Sequence, residues 1–169
     1  VYYNSEFIDF LSESRIEISK KGPTYAGKLQ MKTKNNILFQ IVVAHLSSGE
    51  DSKKSISRES ECTSIINSIY HDGMKYGPTI ILMDSNSSKL YETKDETLGD
   101  GVLEQFKECD YYDILDDAIG LECYKMRHGA GEQPTKFGQF MLDRIDKIMV
   151  PNYLLEYSNV WDITNDIGF

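Results

Sequence analysis

Two short, almost uninterrupted apolar runs flank one stretch of helical period, and no other feature of the chain restricts its fold as strongly. Residues 37–46 read ILFQIVVAHL and residues 79–83 read TIILM. Runs of this length, rich in Val and Ile, read as strands covered on both faces. Between them the period changes. From Ser55 to Tyr70, apolar or small residues recur at Ile56, Cys62, Ile66, Ile69 and Tyr70, with Ile65 beside them. Lys53, Lys54, Arg58, Glu59 and Glu61 supply charge at the start. This predicts a helix with one buried stripe. Asp72-Gly73 is expected to end it, and Tyr76-Gly77-Pro78 to turn the chain. Strand, helix, strand is the repeating unit of an α/β fold.

The flanking segments extend that picture. Residues 1–10 and 25–33 alternate loosely and are predicted strands, with Tyr25, Gly27, Leu29 and Met31 on one face. Residues 19–23 (SKKGP) and 34–36 are turns. Residues 101–109 form a short helix, and 111–118 a brief strand or turn. Residues 120–138 hold four glycines and Pro134 and are mostly loop. Residues 142–150 (LDRIDKIMV) alternate as a strand. Pro151-Asn152 turns it, and 153–163 are expected to return antiparallel. Helices outside a mixed sheet are the expected architecture, in one domain over residues 1–169.

Composition narrows the function classes. The formal net charge is −9 over 169 residues. Proteins that coat nucleic acid through phosphate contacts are usually basic, so that class is disfavoured. A hydrolase acting at a carboxylate-rich metal site remains compatible, since the ion offsets charge locally. No apolar run approaches the 18 or more residues of a membrane span, and residues 1–10 lack a signal-peptide pattern. The three cysteines, Cys62, Cys109 and Cys123, form no CxxC pair. They read as free thiols, and an intracellular location is expected.

Three places bear chemistry. Asp84-Ser85-Asn86 follows TIILM directly, where an α/β strand ends and its loop begins. An Asp offers a carboxylate to a cation or an attacking water, and an Asn offers an amide to a phosphate oxygen. The same triplet is also an ordinary polar turn. His45 closes the other apolar run and suits proton transfer or donation to a phosphate. It equally fits a partly buried, hydrogen-bonded histidine, whereas His71 and His128 read as surface residues. In Arg144-Ile145-Asp146, strand parity places Arg144 and Asp146 on a face shared with Leu142, Ile148 and Val150. Burying charge there requires pairing or a bound group.

Taken in order, these motifs resemble the DNase I-like endonuclease/exonuclease/phosphatase superfamily. Its first strand-end motif is His-Leu, here Ala44-His45-Leu46. Its Gly-Asp-Phe-Asn is Met83-Asp84-Ser85-Asn86, and its Arg-Ile-Asp-Tyr-Ile is Arg144-Ile145-Asp146-Lys147-Ile148. The stretch from His45 to Gly49 with Arg58 in the next helix, and Asn86-Ser87-Ser88 with Leu90-Tyr91 after it, is similar to the deadenylase and tyrosyl-DNA-phosphodiesterase branches.

The resemblance implies a four-layer α/β sandwich, present as a partial domain, and magnesium- or manganese-dependent hydrolysis of nucleic-acid phosphodiesters. Asp84 would orient or deprotonate the attacking water. Asn86 would hold a non-bridging phosphate oxygen and help place Asp84. His45 would donate to the scissile phosphate. Asp146 would orient a second histidine or assist the metal, Arg144 would support the site from behind, and Lys136 would lie on the substrate side. The family's Gln-Glu motif, which carries the main metal ligand, and its Ser-Asp-His motif are expected beyond the two ends of this sequence. Two alternatives stand beside the nuclease: a catalytically silent member that binds or scaffolds, and an inositol-phosphate phosphatase or sphingomyelinase-like enzyme. The inositol branch usually follows its Asp-x-Asn with Tyr-Arg, where this chain has Ser87-Ser88.

Overall fold

The computed structural model describes residues 3–18, 25–48, 52–86, 101–114 and 146–157. They open on a turn. Asn4 Oδ1 accepts the Glu6 amide at 2.9 Å, and the Asn4 carbonyl accepts the amides of Phe7 and Ile8, each at 3.1 Å. An Asn that bonds its own following backbone favours a turn over a strand. The first strand, β1, therefore runs Ile8–Glu17, later than the expected residues 1–10. β2 (Tyr25–Thr33) and β3 (Leu38–His45) follow. Then come α1 (Ser52–Tyr76), β4 (Thr79–Asp84), α2 (Gly101–Glu108), β5 (Tyr111–Asp113), β6 (Asp146–Pro151) and the single turn α3 (Asn152–Leu155).

The strands form one six-stranded sheet in the order β1-β2-β3-β4-β6-β5. β3 and β4 pair in parallel, and every other neighbouring pair is antiparallel. A parallel pair needs a long crossover, and α1 supplies it. α1 and α2 pack on the same sheet face. Val42, Ala44, Ile81, Met83 and Met149 from the sheet meet Cys62, Ile65 and Ile69 of α1 and Phe106 of α2. The apolar runs were expected to be covered on both faces. Burial instead alternates: Val42 and Ile81 are fully buried, while their neighbours Val43 and Leu82 are exposed. Successive strand side chains point to opposite faces, and the described helices cover one of them. One mixed sheet carries a helical layer on one face, as part of the expected four-layer arrangement would.

α1 departs from expectation in two ways. It continues past Asp72-Gly73, with Asp72 held in an ion pair with Lys28 of β2 and Ser68 accepting from the same ammonium at 3.2 Å. It stops at Gly77, whose φ of +79° is the left-handed geometry that ends helices. A Cβ there would lie 2.1 Å from the Leu38 carbonyl oxygen, so no larger residue fits. The buried stripe also differs. Arg58 and Glu61 lie inside with Cys62, Ile65 and Ile69, whereas Ile56 and Tyr70 are exposed.

The expected antiparallel return after residue 152 is a helical turn where the structure describes it. Pro151 has φ −58°, and the Asn152 amide donates to the Asp110 carbonyl at 2.9 Å. Pro151 is the residue before that turn, with ψ 144°, and it has no amide with which to continue a strand ladder. Residues 158–163 lie outside the described residues. No described helix is long and apolar enough to cross a membrane.

Candidate functional site

Three adjacent strands bring their ends into one row. In the sheet register His45 of β3 stands opposite Asp84 of β4, and Asp84 stands opposite Asp146 of β6. Residues that are 39 and 62 positions apart in sequence thereby become neighbours. His45 Nε2 lies 3.8 Å from Asp84 Oδ2. That is longer than a direct hydrogen bond, and short enough for both groups to meet at one atom placed between them. The His45 side chain is 73% exposed and that of Asp84 29%. A partly buried structural histidine is thus not what β3 carries. His71 is exposed, as expected.

The turn after β4 is built around Asp84. Its Oδ1 accepts the Asn86 amide at 3.1 Å. Asn86 has φ +47°, in the left-handed region that Asn tolerates better than most residues. This twist turns the Asn86 side chain back, and its Nδ2 donates to the Leu46 carbonyl at 2.8 Å. Asn86 thus ties the exits of β3 and β4 together and steadies the Asp84 carboxylate. Ser85, between them, is fully buried. The expected polar turn and the candidate cluster are the same three residues.

The exit of β3 is fastened from a second side. The Leu46 amide donates to the Asp84 carbonyl at 2.9 Å. The Ser47 amide donates to Glu61 Oε2 at 2.8 Å and its hydroxyl to Glu61 Oε1 at 2.6 Å. Arg58 Nη1 donates to the Ser47 carbonyl at 3.1 Å. Sequence patterning set Arg58 and Glu61 among the charges at the start of the helix, with Arg58 singled out only through the family resemblance. The signal that could have found them is their spacing. Positions 58, 61, 62, 65 and 69 lie on one helix face, so two charges share the apolar stripe.

Arg144 and Asp146 were expected to be either a structural pair beside solvent or charges held by a bound group. Among the described residues it is Lys147 and Asp113 that pair under the helices, Nζ to Oδ2 at 3.7 Å, with side chains 2% and 3% exposed. Strand parity explains this. Lys147 shares the inner face with Met149 and Asp113 sits opposite Met149 on β5. Arg144 and Lys136 lie outside the described residues, and of Asp146 only the backbone placement is described. Among the described residues no group of three or more His, Cys, Asp or Glu side chains could hold a metal ion.

No protein-family model and no curated protein sequence matches the chain. Solved structures do. The human Nocturnin catalytic domain with bound sulfate anion matches at TM-score 0.55 and 15% identity, over 86% of this chain and 49% of that one. An endonuclease/exonuclease/phosphatase family protein from Bacteroides thetaiotaomicron matches at 0.57 and 14%, over 88% and 52%. A humanized D. rerio TDP2 matches at 0.53 and 15%, over 86% and 53%. The chain has the endonuclease/exonuclease/phosphatase fold. It spans about half the length of the solved structures it matches. Within this fold the row of His45, Asp84 and Asp146 lies where the parallel strands β3 and β4 release their chains. That is the edge at which open α/β sheets gather functional groups.

Proposed function

We propose that the chain belongs to a metal-dependent phosphoester hydrolase that cleaves phosphodiester bonds of nucleic acid by in-line attack of water. The observation that carries this reading is the 3.8 Å approach of His45 Nε2 to Asp84 Oδ2 at the ends of two parallel strands. Asp84, steadied by the Asn86 amide, accepts the proton of the attacking water. His45 donates to an oxygen of the scissile phosphate and offsets charge that develops there. Asn86 has a second amide hydrogen beyond the one given to Leu46, and that donor suits a non-bridging oxygen. Asp146, in register with Asp84, is assigned to positioning or to the metal, with Arg144 supporting and Lys136 on the substrate side. Magnesium, or manganese, would be held with carboxylates beyond the described set, and none of these proton steps runs through it.

Nucleic acid as substrate is supported by the shared fold of a D. rerio TDP2 complexed with single strand DNA product, at TM-score 0.53 and 14% identity. A phosphomonoester substrate is the second reading. A Bacteroides thetaiotaomicron mannosyl-6-phosphatase matches equally well, at 0.55 and 15%.

The test is a substrate panel on the complete protein: single-stranded DNA, single-stranded RNA and a hexose 6-phosphate, each with magnesium and with a chelator. Oligonucleotide cleavage that stops on chelation and falls roughly a thousandfold in Asp84→Asn is expected. Turnover of the sugar phosphate alone moves the assignment to the second reading. Cleavage indifferent to Asp84→Asn overturns the mechanism, and binding without any turnover points to a silent member.

A further inference from the structure

We propose that Glu61 and Arg58 of α1 are positioning residues that lock the two residues after His45 and so set its distance from Asp84. The inference rests on the functional reading above for its kinetic consequence, but its structural part stands alone. Among the described residues the nearest acidic group to the exposed His45 ring is Asp84, beyond hydrogen-bond length. The ring's position therefore follows from the backbone that carries it. That backbone is fully committed. The Leu46 amide goes to the Asp84 carbonyl and its carbonyl takes the Asn86 side chain. The Ser47 amide goes to Glu61 and its carbonyl takes Arg58. Glu61 grips Ser47 a second time through the hydroxyl.

The burial of these two charges is what makes the arrangement informative. Glu61 is 2% exposed and Arg58 8%. They sit one helical turn apart on the face that also carries Cys62, Ile65 and Ile69. Apolar residues at both positions would bury that face without desolvating charge, and such replacements are often neutral or stabilising. What apolar residues cannot do is receive two hydrogen bonds from Ser47 and donate one back. The charges therefore serve geometry, and geometry at a reacting centre is consequential: a misplacement of about 1 Å can reduce rate on the order of a hundredfold.

The experiment uses the complete protein and three variants: Glu61→Ala, Glu61→Gln and Ser47→Ala. Glutamine preserves the contacts, since its carbonyl accepts the Ser47 amide and its NH2 donates to the Ser47 oxygen. Three readouts are taken: hydrogen exchange at the Leu46 and Ser47 amides, the NMR resonances of the His45 ring, and kcat against KM. Glu61→Ala should accelerate exchange at Ser47, shift the His45 resonances and lower kcat roughly a hundredfold with KM little changed. Glu61→Gln should restore all three to within about threefold of wild type, on the same geometric ground. If Glu61→Ala does not fold, Ser47→Ala decides, with a smaller shift of His45 in place. His45 resonances and Ser47 exchange that ignore both substitutions overturn the lock. A wild-type protein without hydrolase activity whose His45 still responds to Glu61 sinks the enzymatic reading and leaves the lock standing.

Discussion

Asp84 and His45 stand at matched positions on two parallel strands, with the imidazole Nε2 3.8 Å from the carboxylate Oδ2. Groups that act on one phosphate should not behave independently when removed. His45→Ala is expected to lower kcat about a hundredfold or more, and Asp84→Asn roughly a thousandfold. The double variant should be little worse than the weaker single, because residues acting as a unit are non-additive. Steady-state kinetics on the oligonucleotide substrate measure this. Fully multiplicative losses would show that the two groups serve separate steps.

Asn86 carries two burdens: a left-handed backbone and the bond to Leu46. Asn86→Gly keeps the backbone and loses the bond, which costs about 1 kcal/mol. Asn86→Ala loses both and should cost about 1–2 kcal/mol more, since Cβ disfavours that φ. Urea unfolding of the two variants separates the contributions. Equal destabilisation would mean the backbone geometry is not under constraint.

The buried pair of Lys147 and Asp113 invites an asymmetric result. Lys147→Met removes the counter-charge of a buried carboxylate and should cost about 3–5 kcal/mol. Adding Asp113→Leu should recover part of that loss by removing the buried charge, although the Ile148 amide then loses its acceptor. Chemical denaturation of the single and double variants gives the answer, and a double variant as unstable as the single would contradict it.

Burial pushes the Tyr111 phenol above its ordinary value of 10.0. The sign follows from the neutral form being favoured in the fold. The stability it contributes is fully present below the unfolded-state value and is lost as pH rises through the folded one. Melting temperature should therefore fall from about pH 10 upward, and Tyr111→Phe should flatten that fall. Parallel pH profiles of the two proteins check it.

Much of the scaffold was legible in the chain itself. The apolar runs that became β3 and β4, and the helical period between them, are local signals, and each reports one element without reference to any other. The strand ends that hold His45 and Asp84 were legible for the same reason, since an apolar run that stops at a polar residue marks its own boundary. What the sequence could not decide was which residues meet. Arg58 and Glu61 read as charges at the start of a helix until β3 is laid against α1 and Ser47 arrives with three groups needing partners. Asp113 and Lys147 are 34 positions apart, and only the pairing of β5 with β6 turns them inward together. Gly77 reads as a turn glycine, but its need to lack a side chain comes from Leu38, far away in sequence. Patterning tells which face of an element avoids water. Which charge finds its counterpart beneath that face depends on register, and register exists only once the strands have paired.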